Sequence, residues 1–131
     1  MLYNIFISHS WTYSDTYDRL IDLLNSDPGF YYRNYSVPKD DPIHNAPDDR
    51  ALRAAIKNQM RPASCVLILA GVYSTYSKWI RIETQLAHEL GKTIIAVEPR
   101  GAERTSEYVK VNADVIVRWN TKSIINAIEN S

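Results

Sequence analysis

Glu83 is the residue whose type and setting point most directly to chemistry. On a helix running from Ser77 to Leu90, with Trp79 as origin and a turn of about 100° per residue, Ile82, Leu86, Ala87 and Leu90 fall on one apolar face. Glu83 falls inside it. Arg81, Gln85 and His88 point the other way, toward solvent. A carboxylate among apolar neighbours is costly unless it is paired, hydrogen-bonded or set at the edge of a cleft. Pairing with a buried Arg is the purely structural explanation. A site carboxyl with a tuned proton affinity is the functional one, and we adopt it.

Two further stretches carry polar chemistry. The turn Ser8-His9-Ser10-Trp11-Thr12-Tyr13-Ser14 is rich in hydroxyls and leads into a helix, where free backbone N–H groups suit phosphate oxygens. The segment from Arg33 to His44 holds Tyr35, Asp41 and two prolines, Pro38 and Pro42, which limit its wandering. A long ordered connection beside a ligand crevice suits a lid that touches the ligand and excludes water. No G-x-G-x-x-G is present and the chain has only four glycines, which disfavours a dinucleotide-binding dehydrogenase. The three histidines and single cysteine make no metal-ligand pattern, so no metal is expected. His9 and His44 could meet at the crevice mouth, while His88 is expected at the surface. A phospho-acceptor receiver site needs acidic residues where Ser8-His9-Ser10 and Ala70-Gly71 stand, and that reading fails.

The elements that must position these residues follow from the apolar pattern. Strands are predicted within Tyr3 to Ser8, Phe30 to Val37, Ser64 to Ala70, Thr93 to Glu98 and Ala113 to Trp119. The cores of the last three, Val66 to Leu69, Ile94 to Val97 and Val115 to Val117, are continuously apolar, as strands buried on both faces of a parallel sheet are. Between them, a helix is expected from Ser14 to just before Pro28-Gly29, with Ser14 as N-cap. Another spans Asp48 to Met60, closed by Pro62. The Glu83 helix is stopped by Gly91. A short one lies in Arg104 to Lys110, and the last starts at Thr121, capped by Asn120. Alternation of this kind defines an α/β, flavodoxin-like three-layer sandwich with a five-stranded parallel sheet in the order 2-1-3-4-5. Its ligand crevice lies at the carboxyl ends of the first and third strands, where the winding reverses.

The whole chain bounds the function classes. Its 131 residues suit one domain covering 1–131. Fifteen basic and fifteen acidic side chains cancel, leaving no positive field to draw the protein to nucleic acid or anionic lipid. Cys65 sits in an apolar run and is expected in the core of a protein from a reducing, cytoplasmic compartment. The N-terminal residues do not read as an export signal, and no apolar stretch nears the ~20 residues needed to cross a bilayer.

Several segments are similar to a known family. Tyr3-Asn4-Ile5-Phe6-Ile7-Ser8-His9-Ser10 resembles the first strand of TIR domains, and Ser77-Lys78-Trp79-Ile80-Arg81-Ile82-Glu83 resembles their W-x-x-x-E helix. Together, Ser8-His9-Ser10-Trp11, Asn34-Tyr35-Ser36-Val37-Pro38 and Arg118-Trp119-Asn120-Thr121 resemble the TIR-like protein of the Thoeris anti-phage system, and the likeness runs through nearly the whole chain. The resemblance implies a bacterial enzyme, of NAD glycohydrolase or ADP-ribosyl cyclase type, that takes NAD as substrate and no cofactor. It would release an ADP-ribose-derived signal, commonly cyclic, that activates a separate effector during phage infection. Glu83 carries over as the catalytic residue, with Ser8, His9, Ser10, Trp11, Tyr35, Asp41, His44 and Trp79 as the expected substrate-binding set. Many NAD-cleaving TIR domains have a basic residue just after the first strand, a place held here by Ser8 and His9. A non-catalytic TIR adaptor and an FMN-binding flavodoxin-like protein are the alternatives; a homo-oligomer is left open.

Overall fold

The structure, a computed structural model, describes residues 1–8, 14–37, 47–71, 78–98 and 106–131. Along the chain they form β1 (Leu2–Ser8), α1 (Ser14–Asn25), β2 (Tyr31–Asn34), α2 (Asp49–Met60), β3 (Cys65–Leu69), α3 (Lys78–Glu89), β4 (Thr93–Val97), α4 (Glu107–Asn112), β5 (Val115–Val117) and α5 (Thr121–Glu129). The five strands make one sheet in the order β2-β1-β3-β4-β5, and every pairing is parallel. This is the expected doubly wound order. β1 lies between β2 and β3, so the connections change side there and leave a crevice at the strands' carboxyl ends.

Period-two alternation divides the core. Phe6, Val66, Ile68, Ile94 and Ala96 face α2, α3 and α4, packing with Ile56, Met60, Ile80, Leu86 and Val109. Ile5, Ile7, Leu67, Ile95 and Val97 face the other way, against Leu20 and Leu24 of α1 and Ile124 and Ile128 of α5. Cys65 is buried on this second face. Among the described residues, no helix is long and apolar enough to cross a membrane.

The helix ends obey local rules. Asp48 caps α2 by accepting from the Ala51 N–H at 2.8 Å, and Asn120 caps α5 by accepting from Ser123 at 3.1 Å. α3 ends in a left-handed Gly91, φ 66°. The Lys92 N–H bonds Ala87 O at 2.9 Å and the Gly91 N–H bonds His88 O at 3.1 Å, the paired closure that a glycine permits without steric cost. α1 starts at Ser14 itself, and α4 runs two residues beyond the expected Lys110, to Asn112.

Two expectations are corrected. β5 is not buried on both faces: Val115 and Ile116 are 40% and 44% exposed. It is a three-residue strand at the sheet edge, and a short apolar run reads the same in sequence whether its strand is central or at an edge. β2 ends at Asn34, not Val37. Beyond Asn34 the attachment passes to side chains. Tyr35 N–H still bonds Ile5 O at 2.8 Å, but then the Ile7 N–H donates to Ser36 Oγ at 3.0 Å. Ser36 Oγ donates in turn to Asn34 Oδ1, which also accepts the Ser36 N–H at 2.9 Å, an Asx-type turn. Asn34 Nδ2 donates to Tyr17 OH at 2.7 Å, tying the turn to α1. This clasp holds the end of β1 past the last residue of β2. Ser36→Ala withdraws the oxygen that accepts the Ile7 N–H, and we expect it to cost about 1–3 kcal/mol in denaturant unfolding; a change below about 0.5 kcal/mol, the level of an ordinary surface substitution, would show that the clasp is dispensable.

Candidate active site

α3 buries a continuous stripe, Ile80, Ile82, Glu83, Thr84, Leu86 and Ala87, while Arg81, Gln85 and His88 are exposed, as the wheel predicts. Thr84 satisfies its own hydroxyl by donating to Ile80 O at 2.7 Å. Glu83 cannot do this within the helix and is only 1% exposed. Its partner comes from the sheet. Ser8 follows Phe6 by two residues in β1, on the α3 side, and its register partner in β3 is Ile68. Ser8 Oγ donates to Glu83 Oε1 at 2.7 Å across 75 residues of sequence.

The second carboxyl oxygen, Oε2, is buried without a hydrogen-bond partner among the described residues. Burial pushes the carboxyl's proton affinity well above its ordinary value of 4.5, opposed by the hydrogen bond from the Ser8 hydroxyl and, less, by the neighbouring Trp79 side chain. Trp79 stands one turn earlier on α3 and packs, partly buried, against the same apolar cluster. Glu83 makes no ion pair among the described residues, so a buried Glu–Arg pair does not explain it there. A carboxyl of raised proton affinity, with Oε1 engaged by Ser8 and Oε2 buried but not hydrogen-bonded to any described residue, is instead a group able to accept a hydroxyl or to face a cation.

Contacts that sequence reasoning did not single out join the elements at this end of the sheet and across the α2–α3 surface. The Ser106 N–H donates to Ala70 O at 2.7 Å, joining the start of α4 to the end of β3. Ser106 is buried and accepts from Val109 as the N-cap; its place just before Glu107 is the signal that could have found it. On the outer surface, Lys78–Asp49 at 2.9 Å and Lys57–Glu89 at 3.3 Å bridge α2 and α3.

Of the expected site residues, Glu83, Ser8 and Trp79 come together at the carboxyl end of the sheet. Tyr35 is half-buried at the end of the clasp, against the α2–α4 core face. His9, Ser10, Trp11, Asp41 and His44 lie outside the described residues. His88 is at the surface, 3.2 Å from Asn112 Oδ1. Among the described residues, no three His, Cys, Asp or Glu side chains gather as a metal site would.

The doubly wound sheet and a buried helical carboxyl beside the β1 terminus define the class, a TIR-like α/β protein. The chain belongs to the family of the Thoeris protein ThsB, TIR-like domain, whose model matches residues 6–104. It is thus a TIR-type protein of antiviral defence. No curated protein is significantly similar to it in sequence. Solved structures share the fold at low identity. A conserved protein from Enterococcus faecalis V583 matches with TM-score 0.64 and 12% identity, over 99% of each chain. The SEFIR domain of the IL-17 receptor B matches with TM-score 0.60 and 12% identity, over 98% of this chain and 93% of that one. The CMP N-glycosidase BcmB of Clostridium botulinum matches with TM-score 0.51 and 16% identity, over 96% and 98%.

Proposed function

We propose that this protein cleaves NAD at the bond between nicotinamide and ribose, with Glu83 as the catalytic carboxylate, and converts the ADP-ribosyl group into a signal, cyclic in form, that activates a separate effector during infection. The observation that carries the reading is the Glu83 carboxyl: buried, held by Ser8 through one oxygen and, among the described residues, neither ion-paired nor partnered on the other. An adaptor using this fold for protein contacts has no need of such a group, and burying it costs free energy.

The chemistry suits a single carboxylate. When the C1′–N bond breaks, its electron pair leaves with nicotinamide, which departs neutral and so requires no general acid. The ribose carbon develops oxocarbenium character, as in glycoside hydrolysis, and a nearby carboxylate stabilises that charge. The raised proton affinity of Glu83 is compatible with this because the intact nicotinamide ring is itself cationic, and an opposite charge beside the carboxyl favours its ionised form. Oε2, which no described residue engages, is the oxygen proposed to accept a ribose hydroxyl. Capture of the cation by a nucleophile of the same ADP-ribose, which sheds its proton, gives a cyclic product; capture by water gives ADP-ribose. The Arg33 to His44 segment, of which residues 38–44 lie outside the described residues, is proposed as the lid that excludes water and favours the first outcome. His9, Ser10, Trp11, Asp41, His44, Tyr35 and Trp79 are proposed as the substrate's surroundings.

The test is mass spectrometry of NAD incubated with the protein, alone and with extract from phage-infected cells. A signalling enzyme is silent before infection, so the protein alone is expected to release nicotinamide slowly, and the extract to accelerate release in step with an ADP-ribose-derived product. Intact NAD under both conditions would overturn the enzyme reading and leave the adaptor.

A further inference from the structure

Ser8 has a narrower and more definite setting than a ligand-contacting hydroxyl at a crevice rim would have. It is fully buried, 0% exposed. Its backbone is held in the β1–β3 ladder opposite Ile68, and the preceding residue is gripped through its N–H by Ser36. From that fixed position its hydroxyl donates to Glu83 Oε1 at 2.7 Å. Oε2 of the same carboxyl has no partner among the described residues.

From this geometry we infer that Ser8 is a positioning residue: it does not touch the substrate but commits Oε1, fixing the carboxyl plane so that Oε2 is the oxygen presented to the ligand. The catalytic part of this inference rests on the proposed cleavage of NAD, whereas the pairing of hydroxyl and carboxyl does not. A hydroxyl donor favours the ionised carboxylate over the neutral acid, so Ser8 also holds down a proton affinity that burial drives up. No described charged group does this in its place. On α2, α3 and α4, Arg53 bonds Gln85, Lys57 pairs with Glu89, Lys78 with Asp49 and Lys110 with Glu107. Arg81 lies 4.3 Å over the Tyr108 ring, and Arg50 is exposed. Tyr35 and Glu98, half-buried near the same end of the sheet, form no ion pair with Glu83.

Two measurements on wild type, Ser8→Ala and Ser8→Thr test the inference. The first follows the Glu83 side-chain carboxyl by 13C NMR across pH, its signal assigned by its loss in Glu83→Gln. Ser8→Ala is expected to titrate at higher pH than wild type, and Ser8→Thr, which keeps a hydroxyl on a strand that tolerates β-branching, to titrate as wild type. The second is NAD cleavage in the activated extract. Ser8→Ala is expected to lower kcat about 10- to 100-fold at neutral pH, the worth of one hydrogen bond to a charged group. KM should be unchanged, and the acidic limb of the rate profile should move to higher pH, with Ser8→Thr restoring both. An unshifted carboxyl titration in a folded Ser8→Ala protein overturns the inference, as does a raised KM with kcat unchanged, which would make Ser8 a substrate contact. If Ser8→Ala does not fold, a Ser8→Thr titration displaced from wild type overturns it equally. A shifted titration in a protein that never cleaves NAD supports the pairing and overturns the catalytic reading instead.

Discussion

Glu83→Gln is expected to reduce NAD cleavage by about 10²–10³, the usual cost of removing one electrostatic contact to a transition state, while leaving the protein folded and no less stable at neutral pH. The amide keeps the shape and an oxygen to accept the Ser8 hydroxyl, but carries no charge. The stability half of the prediction has a definite pH signature. Burial raises the proton affinity of Glu83 in the folded chain above the ordinary 4.5. Below about 4.5 the group is protonated in both states and has no effect. As pH rises from there through the folded value, the unfolded chain gives up its proton first, so the native state binds more protons and loses stability. Above that window the loss is complete and constant. The glutamine side chain cannot titrate. The difference in melting temperature between variant and wild type should therefore grow in the variant's favour across this window and then level off. A folded Glu83→Gln protein with wild-type turnover would remove Glu83 from the mechanism. A variant less stable than wild type well above neutral pH would mean that the carboxylate is stabilised in the native state by something other than the contacts described.

Phe6→Ala is expected to be the most damaging core substitution near the site, costing about 3–5 kcal/mol. For a chain of this size that lowers the melting temperature by roughly 10–20 °C. Phe6 is fully buried in the face that α3 covers, two residues before Ser8 on the same side of β1. Its ring cannot be replaced by solvent, and the cavity left behind lies under the strand that aims the Ser8 hydroxyl. Since domains are stable by only about 5–15 kcal/mol, much of the margin is lost, and activity should fall even below the melting transition because the Ser8–Glu83 pair loosens. Ile116→Ala, on the exposed edge strand β5, is the comparison and should cost less than about 1 kcal/mol. Equal destabilisation by the two would contradict the assignment of β1 to the centre of the sheet and of β5 to its edge.

Much of this architecture was legible in the sequence, for local reasons. The apolar runs of β3 and β4 require cover on both faces, and the period of about 3.6 in Trp79, Ile82, Leu86 and Leu90 could belong only to a helix with one buried side. Asn120, Asp48 and Gly91 mark helix ends through backbone chemistry that acts within a few residues. The same helical period placed Glu83 inward, since angle about an axis is a property of the segment alone. What period and capping could not supply was anything dependent on a neighbour far along the chain. The continuously apolar Val115 to Val117 reads as a strand buried on both faces, yet how far its edge position leaves it uncovered is settled by the packing around the sheet. Asn34 and Ser36 read as the tail of a strand, and only the approach of Ile7 made Ser36 an acceptor for β1. Most of all, an inward-facing glutamate has several possible partners. That Glu83 meets a serine hydroxyl 75 residues earlier, and no described arginine, was decided by the crossover that lays α3 against β1, because a hydrogen bond depends on distance in space and the sequence records only distance along the chain.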